Sequence, residues 1–490
     1  MTLRVLLRFF CIAFAAITSA NPASARMLGS VQFSPCTLGG GSRPVVQNAE
    51  CADFSVAENP DQPQSRRITL KLALVPARAP KAALDPVVLI AGGPGQSALR
   101  SYPQLADALD PLRKKHDILL VDQRGTGGSA PLHCGLPDWK KDQADNPAAF
   151  RAMAESCRKE LEPKADLARY TTSDAVRDLE AVRQALGAPQ LNLYGVSYGT
   201  RFSLEYLRRH PEGVRSAILD SVAPPELVLG QDFGRNLDEA LALIFAHCRA
   251  DKACHDRFGD PAGTLITLRE RLKREPMHAS VADPVSGQWS EQTLRESALI
   301  AVVRMYAYAP EFVSLLPLLL DSALNHQPQP LMAQGEMLFR QIEDDMMMGM
   351  QLSVICTEDA PLMRADPAAA KTLLGDALTR SMMSACEVWP HGAKPADFKQ
   401  PVKSDKPVLL LSGEWDPVTP PRNAPQVAAT LPNGRALVAK GQGHNVLPRG
   451  CLPKLAAKFV ETLDAKKLDA SCLDALAPTP PFLNFEGPAP

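Results

Sequence analysis

The sequence predicts an α/β protein: a mostly parallel sheet with helices on both faces, interrupted by an inserted helical cap. Three observations carry this. Short, mainly apolar strand candidates at 86–91, 117–121, 190–194 and 214–219, the first fully apolar, alternate with helical segments, as strands of a covered parallel sheet do. Between 224 and 386 the alternation stops, and long helical stretches at 237–248, 294–308 and 331–354 take over with no strand series. It then resumes at 407–411 and 434–439. A chain of 490 residues also exceeds what one core usually fills, so a sheet layer with an inserted unit is the expected solution.

Each element has a local reason. Residues 67–75 alternate apolar and polar side chains, the pattern of a half-buried strand, and precede the buried run at 86–91. The run 117–121 closes at Asp122. A helix is expected over 173–186, with Ser173 as N-cap, Val176, Leu179, Val182 and Leu186 on one face, and Gly187 ending it. The strand 190–194 leads through Gly195 into a helix over 198–210, and the run 214–219 stops at Asp220. Beyond the cap, a last helix at 452–463 follows the two late strands. The expected units are a leader over 1–25, a core over 26–223, the cap over 224–386, the core's return over 387–475, and an extended, weakly ordered Pro-rich tail over 476–490.

Arg4 and Arg8 flank the start of an apolar run at 9–17, and Ala23-Ser24-Ala25 supplies small residues for cleavage after Ala25, the pattern of a secretory signal. The protein is therefore expected to be exported, to the periplasm or beyond. Cys11 inside the run invites a lipid-anchor reading, but Arg8-Phe9-Phe10 is too bulky for one. Of the 11 cysteines, those after Cys11 are even in number, which suits disulfides in an oxidising compartment. Neighbours pair naturally: Cys36 with Cys51, Cys134 with Cys157, Cys248 with Cys254, Cys356 with Cys386, and Cys451 with Cys472. His247 and His255 beside the third pair suggest a metal, but export and short spacing favour a disulfide loop. A net charge of -1 argues against nucleic acid as a partner, because phosphate binding needs a concentrated cationic excess. No later stretch offers the roughly 20 apolar residues of a membrane helix. Oligomeric state is not legible.

The strongest chemical signal is Gly195-Val196-Ser197-Tyr198-Gly199, a G-x-S-x-G pattern between an apolar strand and a helix. The glycines permit a turn sharp enough to project the serine hydroxyl, and the helix points its positive end at it. Serine is a weak nucleophile unless a base takes its proton and a third group orients that base. Such groups are expected downstream, acid first and base second, on loops after later strands. The strand 407–411 runs into Asp416, with Glu414 as the fallback acid, and His444 is the single histidine after Asp416. An oxyanion hole needs two N–H donors. Tyr198 supplies one by position, and Gly93 in Gly92-Gly93-Pro94-Gly95 is the second candidate. That loop lacks the lysine and helix start of a nucleotide loop. No metal or organic cofactor is required.

Those two glycine motifs, together with Asp122-Gln123-Arg124-Gly125-Thr126-Gly127-Gly128-Ser129, resemble the proline iminopeptidases and tripeptidyl aminopeptidases of the α/β-hydrolase superfamily. The exported, cysteine-rich character is closer to the tripeptidyl branch. The resemblance implies the α/β-hydrolase fold and removal of residues from a peptide with a free N-terminus, under a helical cap. Many proline iminopeptidases carry His before Gly-Gly-Pro-Gly, where this chain has Ala91, which weakens strict proline specificity. A bound amine calls for a carboxylate; Glu358, then Asp359, are the candidates in the return from cap to sheet. Asp122 and Arg124 are expected to brace the active-site loops by buried ion pairing, and Met346, Met347, Met348 and Met350 to fill the cap core. The alternative is a carboxylesterase or lipase using the same triad on an uncharged ester, since fold does not fix substrate.

Overall fold

The computed structural model describes residues 25–40, 43–135, 146–283 and 285–488; the expected leader, Ala25 apart, lies outside them. Among the described residues twelve strands form: β1 (Arg26–Leu28), β2 (Val31–Gly40), β3 (Arg43–Ala57), β4 (Arg67–Val75), β5 (Val87–Ile90), β6 (Ile118–Val121), β7 (Leu191–Val196), β8 (Val214–Asp220), β9 (Met277–Ala282), β10 (Trp289–Leu294), β11 (Val408–Gly413) and β12 (Gly434–Ala439). Ten make one sheet, in the order β1-β2-β3-β4-β6-β5-β7-β8-β11-β12. From β6 through β5, β7, β8 and β11 to β12 every pairing is parallel. β1 to β4 add an antiparallel flank joined to β6.

Period-two alternation divides each central strand between two cores. Val88, Ile90, Val408 and Leu410 face one, packed on Val176, Leu179 and Val182 of the helix Thr172–Ala185 and on Phe202 of the helix Tyr198–Arg209. Val87, Leu89, Leu409 and Leu411 face the other, against Tyr102 and Leu109 of the helix Ala98–Leu109 and Phe459 of the helix Leu452–Thr462. Continuous apolar runs are what burial on both faces demands. Between β8 and β11 the chain leaves the sheet for a helical insertion with its own core, in which Leu237, Leu299 and Leu319 meet Trp415 from the loop after β11. All five expected disulfides are present. No helix of the described residues is long and apolar enough to cross a membrane.

Several local expectations are corrected. The helix over 172–185 is capped by Thr171, whose side chain accepts the Asp174 N–H, not by Ser173. The run 331–354 is two helices, Gln329–Asp345 and Met348–Glu358, because Met346 turns extended to bridge Gln96. The insertion also contains the β9–β10 hairpin, hidden in sequence because β10 is largely exposed and polar. The Pro-rich tail is extended but tied down: Ala477 O accepts a bond from Gln442, and the Phe482 N–H donates to Ser314 O.

The loop after β6 braces the sheet against the helix Thr172–Ala185. Arg124 is wholly buried and makes a two-point pair with Asp178, 2.7 Å on each arm, while also donating to the carbonyls of Glu58 and Arg169. Asp122 differs from the expected ion pair: its carboxylate accepts Ser97 Oγ at 2.6 Å and the N–H groups of Leu99 and Gly128. Breaking a buried pair strands the remaining charge, at about 3–5 kcal/mol. Arg124→Met and Asp178→Leu should each lose stability on that scale in urea unfolding, and the double variant should lose less than their sum. A single variant as stable as the wild type would contradict the bracing role.

Candidate active site

Ser197 sits where β7 turns into the helix Tyr198–Arg209, at φ 57° and ψ -121°. Two glycines make the turn possible. A Cβ at Gly195 would lie 2.3 Å from the Gly199 carbonyl oxygen, and one at Gly199 would lie 2.2 Å from that of Ile90 in β5. The Ser197 side chain does not cap the helix, so its hydroxyl is left at the C-terminal edge of the sheet and the Tyr198 N–H opens the first turn. The Ser197 N–H donates to the Asp220 carbonyl at 2.9 Å, which fixes the turn to β8.

The Gly92–Gly95 loop follows β5 and runs directly against that turn. A Cβ at Gly92 would stand 3.1 Å from the Ser197 Cβ. Gly93 and Gly95 adopt φ of 104° and 114°, which a residue with a side chain would resist. Gln123, from the loop after β6, reaches the Ala91 carbonyl beneath it at 3.4 Å.

The loops after β11 and β12 bring the other two candidates together. His444 Nδ1 lies 2.8 Å from Asp416 Oδ2. The other Asp416 oxygen accepts the N–H groups of Val418 and Thr419, and Thr419 Oγ1 lies 2.9 Å from Asp416 Oδ2 and 3.2 Å from His444 Nδ1. Glu414, the fallback acid, instead accepts the Gly441 N–H. Burial works against charge on both partners, but their pairing outweighs it: Asp416 is held below the usual carboxylate range and His444 above its ordinary value. Asp220 adds to the rise of His444.

The insertion touches each of these loops. Tyr308 O accepts the His444 N–H at 2.7 Å, with the two rings edge-on at 5.3 Å. His247 lies against Trp415, beside Asp416. The Met347 N–H donates to the Gly95 carbonyl, and the Met346 sulfur would be 3.3 Å from a Cβ at Gly93. Met346 therefore lines the glycine loop, whereas Met350 is wholly buried in the core.

Glu358 and Asp359 do not offer an open acidic recess. Both are buried. Glu358 accepts the Thr172 N–H and hydroxyl, and that hydroxyl also meets the Tyr198 hydroxyl at 2.6 Å. Asp359 is taken by Arg201 at 2.9 Å, Lys399 at 2.5 Å and the Leu229 N–H. They tie the insertion to the helix behind Ser197, and burial raises Glu358 to about 7. Among the described residues, the grouping spaced for a metal is Glu180, His210 and Glu212, at the far end of that helix; Glu180 already holds Arg183, Tyr206 and Gln184.

Sequence reasoning missed Thr419, Asp220 and Tyr308. Asp220 had a signal, since it closes an apolar strand as Asp122 does. Thr419 had a weaker one, three residues past an Asp-Pro turn. Tyr308 had none, because its contact joins distant parts of the chain.

Residues 85–450 match the family described as alpha/beta hydrolase fold. Serine protease Hip1 of Mycobacterium tuberculosis is 23% identical over 477 residues, covering 90% of each chain. A tripeptidyl aminopeptidase of Streptomyces coelicolor is 34% identical over 152 residues, 27% of each chain. The solved proline iminopeptidase of Mycobacterium smegmatis overlaps with a TM-score of 0.40 at 16% identity, covering 84% of this chain and 98% of that one. The strand order, the strained serine turn after β7 and the family match over most of the chain agree: this protein belongs to the alpha/beta hydrolase fold family.

Proposed function

We propose that this protein is an exported serine aminopeptidase that cleaves peptide bonds near a free N-terminus, with Ser197 as nucleophile, His444 as base and Asp416 as its orienting acid. The observation that carries the reading is the Asp416–His444 pair at 2.8 Å, set on loops beside a serine turn that strain and glycine packing hold in one shape. His444 takes the hydroxyl proton as Ser197 attacks the scissile carbonyl, and Asp416 stabilises the imidazolium. The N–H groups of Tyr198 and Gly93 receive the developing oxyanion. Collapse passes the proton to the leaving amine and leaves an acyl-enzyme, which water, activated by His444, then hydrolyses. The peptide class is supported by kinship with proteins named as serine protease and tripeptidyl aminopeptidase. Export is supported by five disulfides.

Two measurements test this. With Ala-, Pro- and tripeptide anilides, acetylating the amine should lower kcat/KM at least about 10-fold, the scale of one lost hydrogen bond to a charged group, and Ser197→Ala should abolish turnover of all of them. Equal turnover of blocked and free forms would favour an esterase-like enzyme instead. Because the neutral imidazole is the base, kcat/KM should fall as pH drops through a His444 pKa above the ordinary value of about 6.5. Asp416→Asn should shift that limb to lower pH and cut kcat on the order of 10⁴-fold; a limb that stays in place would remove Asp416 from its role.

A further inference from the structure

Asp220 is a buried carboxylate that the mechanism above leaves without a task. It ends β8, between β7, which carries Ser197, and β11, which leads to Asp416. Its backbone carbonyl holds the Ser197 N–H at 2.9 Å. Its carboxylate accepts two successive N–H groups of the base loop, Val446 at 2.9 Å and Leu447 at 2.8 Å, and the Tyr194 hydroxyl of β7 at 3.3 Å. The next residue continues the pattern: the Ser221 hydroxyl accepts the Asn445 N–H at 2.8 Å, and the Ser221 N–H donates to Leu411 O of β11 at 2.9 Å.

Three residues other than glycine meet here in the left-handed region: Ser197 at φ 57°, Ser221 at 61° and Asn445 at 66°. Such conformations persist where the surroundings over-determine them, and they concentrate at functional sites. The Asp220–Ser221 pair is what these three share. An active-site misplacement of about 1 Å can cost on the order of 100-fold in rate, so a single residue bonded to both the nucleophile turn and the base loop has leverage on the chemistry.

Charge points the same way. The carboxylates acting on His444 are Asp416 after β11 and Asp220 at the end of β8; Tyr308 of the insertion packs on the ring with Arg304 beside it, and Tyr194 of β7 reaches Asp220 and the neighbouring Asn445. Burial raises both tyrosines, so they stay neutral. Of the charged groups, Asp416 is bonded to the ring and Asp220 acts across space, and both favour its charged form. Burial lifts Asp220 to about 6, against the pull of its two N–H bonds and of His444.

We propose that Asp220 is a positioning residue for hydrolysis: it locks the His444 loop against the Ser197 turn and steadies the imidazolium formed when Ser197 gives up its proton. This rests on the triad reading above. Asp220→Asn replaces one acceptor oxygen by an NH2 that cannot receive an N–H, and removes the charge. Ser221→Ala removes the Asn445 anchor and leaves the charge in place.

The test uses the full chain, with rates normalised to active sites titrated by a fluorophosphonate, and follows the His444 ring proton by NMR in a Ser197→Ala background. Asp220→Asn should lower kcat at least about 10-fold with KM within about twofold, and should move both the acid limb of kcat/KM and the His444 titration to lower pH. Ser221→Ala should lower kcat severalfold with the His444 titration in place, and it tests the positioning role if Asp220→Asn fails to fold. Wild-type kcat in either variant, or an unmoved His444 titration in Asp220→Asn, would overturn the proposal. Were Ser197→Ala still active, the triad reading itself would fall; were it inactive while Asp220→Asn behaved as wild type, this inference alone would fail.

Discussion

The site depends on one constraint: a serine held at φ 57° between a buried strand and a helix. An L-residue resists that conformation, and about 1–3 kcal/mol of local strain is the usual scale. It is tolerated because the chain around it has no freedom to relax. Gly195 and Gly199 pack backbone against backbone, the latter against β5, and the Ser197 N–H is fixed to β8. The glycine loop after β5 then closes on the same point from the other side, so the turn and the candidate oxyanion donors are set by one set of contacts. Preorganisation of this kind lets hydrogen-bond donors act without reorganising during reaction.

Around that turn, the sheet converts strand order into chemistry. Four parallel strands, β6, β5, β7 and β11, lead into Asp122, Gly93, Ser197 and Asp416, β8 ends at Asp220, and the loop after β12 bears His444. Parallel strands place all these loops on one edge, where open α/β sheets bind ligands. The helical insertion packs on that edge and touches the glycine loop through Met346 and Met347, the Asp416 loop through Trp415 and His444 through Tyr308. A shift of the insertion would therefore be felt at the glycine loop, the Asp416 loop and His444 together.

Much of this was legible in the sequence, for physical reasons. Strands buried on both faces must be short and largely apolar, so β5, β6 and β11, and with a few polar interruptions β7 and β8, announced themselves, and the glycines around Ser197 marked a sharp turn. The pairing of Asp416 with His444 was foreshadowed by chain order. The antiparallel β2 and β3 did not, because an outer flank carries polar residues such as Gln47, Asn48 and Asp53 and breaks the apolar signal. The break at Met346 was hidden because methionine suits a helix interior, and only the pairing with Gln96 pulls it out. The task of Glu358 and Asp359 was misread because an acidic pair in a return loop looks solvated, whereas Arg201 and Lys399, remote in sequence, bury it. Long-range ion pairs leave no local trace.

The central claim is that Ser197 is a nucleophile made reactive by His444. It is tested most directly by incubating the protein with a fluorophosphonate and mapping the adduct by peptide mass spectrometry. The account predicts one stoichiometric adduct on the Ser197 hydroxyl, formed at least about 100-fold more slowly in His444→Gln, the lower end of what a general base contributes. An adduct on another residue, or equal labelling of the His444→Gln protein, would contradict it.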